Sequence, residues 1–278
     1  MPKIPLGDWI DSAVRGFLAV AEDSLDAFSK GVDVLVKNLY NTLEFIPWWL
    51  LILIVVAIAW KATGWRLALG TAIGLGLIYN LKLWSPLLDT ITMVIFASIF
   101  SIIIGIPLGI AGGRNNVFHK IISPILDFMQ TMPAFVYLIP SLMFFGIGKF
   151  AAIFAIVIFA MPPIIRFTDL GIRQVPTDLV EVGEAFGSTP TQLLFKVQIP
   201  VAKPTILAGL NQTMMLALSM VVITAMIGAG GLGEGVLYAI GQMQIGMGFE
   251  YGIAVVILAI ILDRLTQSIG RSKRPTEK

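Results

Sequence analysis

Seven runs of apolar residues restrict this chain more than any motif in it. They lie at about residues 45–60, 65–81, 87–111, 128–147, 150–165, 204–227 and 251–269. A helix needs roughly 20 mostly apolar residues to cross a bilayer, and it satisfies its own backbone hydrogen bonds where no water can. The first, second and fifth runs are short, so their ends are expected in the interface. The seventh carries Asp263 and Arg264. Composition agrees: 57% of the 278 residues are hydrophobic and 13% charged, about half the charged share of a soluble domain. A water-soluble globule of this length has no interior for so much apolar surface. That excludes a soluble enzyme, a nucleic-acid binder and a disordered chain. The expected fold class is an all-α polytopic membrane protein with about seven transmembrane helices.

Lysine and arginine gather on the cytoplasmic side of membrane helices. With the N-terminus outside, 13 of the 19 lysines and arginines fall on the inner side. Lys82 and Lys149 alone occupy the short outer loops, and the other four share the N-terminal segment with seven acids. The flipped arrangement exports those 13, so the chain reads as N-out and C-in. Within residues 1–44, Ile10, Val14, Phe17, Leu18, Ala21, Leu25, Phe28, Val32, Leu35, Leu39 and Leu43 recur at three- and four-residue steps. This is the pattern of an amphipathic helix lying on the membrane or packed on the bundle. No secretory signal is expected there. Residues 45–270 form the membrane domain, and the basic tail 271–278 is expected to be disordered and to face anionic lipid.

Several chemistries are excluded. The chain has no cysteine, so there is no disulfide, thiol nucleophile or cysteine-held zinc. Its single histidine, His119, rules out a two-histidine metal site, and in the basic loop between Arg114 and Lys120 it reads as solvated. No metal or cofactor is expected in this chain. A phosphate-binding Gly-x4-Gly-Lys-Ser/Thr loop is absent: Gly146-Ile-Gly-Lys149 lacks the upstream glycine and the hydroxyl residue. Gly228-Ala-Gly-Gly-Leu-Gly-Glu-Gly235 contains Gly-x-Gly-x-x-Gly, but it follows a spanning helix rather than a strand. It reads as a loop, or as a bend whose bare backbone lets elements pack closely. Gly70-x3-Gly74 and Gly105-x3-Gly109 permit close helix contact. Polar residues within spans are functional candidates. Asn211, Gln212, Thr213, Ser219 and Thr224 mark the sixth run, either along a water-filled path or as interhelical hydrogen bonds. Asp127 is expected to pair with an arginine or to cap a helix.

One polar stretch between spans, residues 167–203, is long. Leu179, Val180, Val182, Ala185 and Phe186 give a short apolar stripe, and Gly187 supplies a stop. Thr189, Pro190 and Gln192 then read as an N-cap, a first helical position and a capping box. The stretch is therefore two short helices meeting at Gly187 on the inner side.

Glu181-Val-Gly-Glu-Ala-Phe-Gly187, nine residues and then Val197-Gln-Ile199-Pro200 resemble the EAA loop of ABC-importer permeases. Glu181, Gly187 and Pro200 match that pattern in identity and spacing, while Val182 and Gly183 stand in place of its two alanines. The likeness extends over about residues 84–269. It is greatest to the glycine betaine/proline betaine permeases of osmoprotectant importers, supported by Asp127-Phe-Met-Gln-Thr-Met-Pro-Ala-Phe-Val-Tyr-Leu-Ile-Pro140 and Ala160-Met-Pro-Pro-Ile-Ile-Arg166. The resemblance implies the type I importer permease fold and a multi-pass protein of the bacterial cytoplasmic membrane. It also implies a second permease copy, ABC ATPase subunits (two in number) that hold ATP and Mg, and an extracytoplasmic substrate-binding protein. In that family the loop is the coupling helix that enters the ATPase. The resemblance thus assigns coupling to Glu181, Gly183, Glu184, Ala185, Phe186, Gly187 and Pro200, with Glu181 making a polar contact and Ala185 and Phe186 docking.

The rivals are a permease of the same kind for another small solute, such as an amino acid or choline, and a self-contained channel or ion-coupled carrier. A carrier has no need of a docking loop and usually shows more acids at mid-span. A membrane-embedded enzyme lacks a pair of suitable catalytic groups in one span.

Overall fold

The computed structural model describes residues 5–270, and its regular elements are all helical. The basic tail lies outside the described residues. The amphipathic segment is α1 (Leu6–Phe45), which buries Val32 and Val36 against the bundle. At the Ile46–Pro47 step the residue before proline is pushed into extended backbone. The chain turns there by 99° into α2 (Trp48–Thr63). Gly64 then reverses it into α3 (Trp65–Asn80), which packs on α2 as a hairpin. Each of these two helices has 16 residues, about 24 Å at 1.5 Å per residue, shorter than a bilayer core of about 30 Å.

Next come α4 (Trp84–Arg114), α5 (Asn116–Thr131), the short α6 (Leu138–Phe145) and α7 (Lys149–Arg173). All seven apolar runs are helical, but the described residues hold four helices long and apolar enough to cross by themselves, or six if each bent pair is one span. The expected fourth span at 128–147 is not one helix. Met132 is extended ahead of Pro133, and α5 and α6 meet at 109°. The fifth run continues beyond residue 165, because Pro162 and Pro163 lie inside α7 without ending it. The expected loop 167–203 is correspondingly shorter: its first seven residues complete α7, and its last five open α10 (Ile199–Thr224). The glycine-rich stretch is not a loop throughout. Gly228 and Gly230 form the bend, and α11 (Gly231–Gly241) starts directly after it. A final helix, α12 (Ile245–Gly270), begins six residues before the seventh run.

The core is built on α4, α7 and α10. α4 and α7 run parallel: Lys149 at the start of α7 reaches Asp89 near the start of α4, and Asp169 near the end of α7 lies against Gly112. Between these ends, Gly105, Gly109 and Gly113 face Ile164, Thr168 and Ile172 one turn apart. A Cβ on Gly109 would stand 2.5 Å from Thr168 Cβ and 2.7 Å from the Ile165 carbonyl oxygen. The expected small-residue contact is therefore real at Gly105-x3-Gly109. In the other pair, Gly74 packs on Ile257 of α12 and Gly70 faces open space. α10 runs antiparallel to α7, with Gly209 against Phe167 and Ala202 against Gly171. The bend before α11 uses bare backbone in the same way: Gly233 lies on the backbone of Val221 and Val222, and Leu232 N donates to Thr90 Oγ1 at 2.8 Å.

Candidate functional site

Two places concern the sequence-derived candidates: an elbow between α7 and α10, and a cavity lined from α5, α7 and α10.

The elbow is α8 (Thr177–Ala185) followed by α9 (Pro190–Leu193), which continues through a π-helical turn, Leu194–Gln198, into α10. Pro176 starts α8 and Gly187 ends it. Gly187 has φ +75°, the left-handed region that a side chain makes costly. Its N–H donates to the Glu184 carbonyl at 2.8 Å, and the Ser188 N–H to the Gly183 carbonyl at 3.1 Å, closing the end of the helix. α9 carries the expected capping box: Gln192 N–H donates to Thr189 Oγ1 at 3.3 Å and Thr189 N–H to Gln192 Oε1 at 2.9 Å. Gly183 is buried because Leu193 Cδ1 sits where its Cβ would be, 2.7 Å away. The alanine that the EAA pattern puts there would push Leu193 aside, a contact that sequence spacing alone did not reveal. Glu181, Val182, Glu184 and Ala185 are exposed, as is Pro200 on the first turn of α10. Phe186 is 87% exposed at the tip. The ring stands uncovered on a turn held by the closing bonds of α8 and the capping box of α9. Between the elbow and the end of α4 lies a cleft of about 300 Å³ with Arg114 on one wall and Glu184 on the other.

The elbow is anchored at its α7 end by a polar cluster. Asp169, with 9% of its side chain exposed, accepts from Arg173 Nε at 2.7 Å and from His119 Nδ1 at 2.5 Å. Arg173 also donates to Asn116 Oδ1 at 2.6 Å and to the Gly112 carbonyl at 2.6 Å. His119 is thus not a solvated loop residue. Asn115 caps α5 through its side chain and sets His119 one turn in, facing α7. The cluster ties the ends of α4, α5 and α7 together just before α8 begins.

The second place is a cavity of about 430 Å³ between α5, α7 and α10, lined by Gln130, Phe159, Pro163, Arg166, Phe167, Gln212 and Leu216. Arg166 pairs with Asp127, the arginine partner expected for that acid. Of the five polar residues singled out on the sixth run, Gln212 alone lines this cavity. Asn211 donates to Asp263 of α12 at 3.0 Å, making the interhelical bond that was its other reading. Thr213 and Thr224 are fully buried, and exposed Ser219 donates to the Met215 carbonyl of its own helix. Sequence reading missed Phe159, Phe167 and Gln130 as a group: the two rings lie eight residues apart on α7, within and just past an apolar run, and Gln130 lies on α5.

Comparison with known proteins adds to this geometry. The family described as "Binding-protein-dependent transport system inner membrane component" matches residues 105–275. The glycine betaine/carnitine transport permease protein GbuB of Listeria monocytogenes is 49% identical over 99% of this chain and 98% of its own length. The glycine betaine transport system permease protein OpuAB of Bacillus subtilis is 50% identical, covering 99% and 97%. Among solved structures, an inward-facing form of the MetNI methionine ABC transporter superposes with a TM-score of 0.61 at 25% identity, covering 66% of this chain and 92% of the matched chain.

Proposed function

This chain belongs to the family of binding-protein-dependent transport system inner membrane components, and from that premise we propose that it is the permease of an ATP-driven importer for glycine betaine, proline betaine and related compatible solutes. The observation that carries this reading is its near full-length likeness to permeases named for glycine betaine. It is a multi-pass membrane protein, placed by this reading in the cytoplasmic membrane with its N-terminus outside. Two copies form the pathway, an external binding protein delivers the solute, and two separate ATPase subunits bind ATP and Mg and supply the work.

The elbow is the part the ATPases hold. Phe186 and Ala185 supply an apolar knob, Glu181 and Glu184 a charged rim, and Gly187 the turn that presents them. Because α8 follows α7 after only three residues, and α9 runs into α10, a push on the elbow moves two of the three core helices. The Asp169 cluster makes the ends of α4 and α5 follow. Tilting these helices together exposes the pathway, including Gln212, to one side and then the other.

The test is uptake of labelled glycine betaine into vesicles holding all the subunits, with unlabelled proline, choline and carnitine as competitors. ATP-dependent uptake, competed by the compatible solutes, is the expected result. Uptake that proceeds without ATPase subunits overturns the reading.

A further inference from the structure

The cavity between α5, α7 and α10 has a chemistry of its own. Its one charged lining group is Arg166, whose guanidinium has five N–H donors. One of its terminal nitrogens donates to Asp127, while Nε is buried with no partner among the described residues. A buried, unmatched N–H wants an acceptor, and a carboxylate suits a guanidinium through two parallel hydrogen bonds. Asp127 is 65% exposed on its side chain, so solvent weakens its hold on Arg166. An incoming carboxylate can compete with it.

The remaining walls are aromatic and amide. Phe159 is held edge-on to Tyr137, ring centres 5.8 Å apart at 70°, and the Tyr137 hydroxyl donates to the Met129 carbonyl. Phe167 is fixed by Gly209, where a Cβ would lie 2.6 Å from its own Cβ. Two positioned rings suit a cation that has no N–H to donate, because a quaternary ammonium needs a π face and not an acceptor. Gln130 and Gln212 can bond to the polar middle of a ligand. At the far end of α4 a second polar pocket, of about 340 Å³, carries Asp89 and Glu234 beside Tyr238 and Tyr251. Its two carboxylates repel an anion, so it lacks what the first cavity has.

We propose that the Arg166–Phe159–Phe167 cavity is a binding site for a zwitterion that joins a quaternary ammonium to a carboxylate, holding the solute within the permease during its passage. The carboxylate lies on Arg166, displacing Asp127, and the ammonium lies against the two rings. A volume of about 430 Å³ is ample for a betaine and falls in the usual range of small-ligand sites. This site rests on the functional reading above and adds to it a resting place for the solute.

The test uses the complete transporter in vesicles, with uptake of labelled glycine betaine measured at saturating binding protein and co-elution with the ATPase as the check of assembly. Arg166→Gln and Phe167→Leu are expected to lower uptake by about tenfold or more. Phe167→Trp keeps a ring and restores most of it. Asp127→Asn leaves the guanidinium in place and stays within about twofold of the unmodified protein. Asp127→Asn falling together with Arg166→Gln overturns the site, since Arg166 then serves only the ion pair. Equal uptake by Phe167→Leu and Phe167→Trp overturns it too. An unmodified complex that takes up no betaine defeats the functional reading, and the site with it. Normal uptake by every variant defeats the site alone.

Discussion

Along the seam between α4 and α7, Gly105, Gly109 and Gly113 are used for the space they leave: Ile164, Thr168 and Ile172 fill it, and the helices close on each other. At the elbow, Gly187 has open space where its Cβ would be and is used for its backbone, which turns at φ +75°. The seam is buried and its neighbours are fixed by packing. The elbow is exposed, with Phe186 uncovered at its tip, and is fixed by hydrogen-bonded caps. The seam is filled by its own chain, while the elbow leaves its tip uncovered and, on the proposed function, available to the ATPase. The same residue type therefore predicts opposite outcomes when replaced. A larger side chain damages the fold at the seam and the coupling at the elbow.

The seam gives the largest expected effect. Gly109→Leu drives carbon atoms into Thr168 and the Ile165 carbonyl. Overpacking of this kind costs about 1–3 kcal/mol or more, and a stretch this tight has nowhere to move. Little assembled protein should be recovered from membranes. A folded Gly109→Leu protein with an unchanged melting temperature breaks the contrast. At the elbow, Gly187→Pro forces φ to about −65° where the turn needs a positive value. The complex should still assemble, while solute-stimulated ATP hydrolysis is lost. Retained stimulation means the turn is not part of the coupling surface.

The boundary between the two regions is the Asp169 cluster, and Asp169→Asn sharpens the comparison there. It removes a charge from Arg173 and His119, leaving the other Arg173 bonds to Asn116 and Gly112. A loss of about 2 kcal/mol is expected for hydrogen bonds to charged groups, read as a fall in melting temperature of about 4–8 °C. The smallest effect belongs to Thr90→Val. It leaves the Leu232 N–H without an acceptor at the entry to α11 and costs about 1 kcal/mol. Hydrogen exchange at the start of α11 checks it.

Much of this was legible in the residues because it is local. The 3.6-residue repeat of α1, the Thr189–Gln192 box and the stop at Gly187 each depend on a few neighbours in the chain. The seam glycines were legible as a spacing, though only the packed helices distinguish Gly105 and Gly109 from Gly70. The missed features are those that need two distant segments. His119 read as a solvated loop residue because its partner, Asp169, lies 50 positions away. Asn211 read as an interhelical bond or as part of a lumen, and only α12 supplies its partner, Asp263. The break at Met132–Pro133 was hidden within an otherwise apolar run, since hydropathy records burial and not direction. The cavity was invisible for the same reason: Gln130, Phe159, Arg166 and Gln212 come from three helices.

The chain contains no cysteine, so one introduced thiol is unique and can report what touches the elbow. In the assembled transporter, Phe186→Cys is expected to yield a cross-link to an ATPase subunit with a short reagent that joins the introduced thiol to a lysine amine. Ile147→Cys, 81% exposed at the opposite end of α7, is expected to yield none. An ATPase adduct from position 147, or none from position 186 in a complex that still imports solute, would contradict the elbow as the place where the motor takes hold.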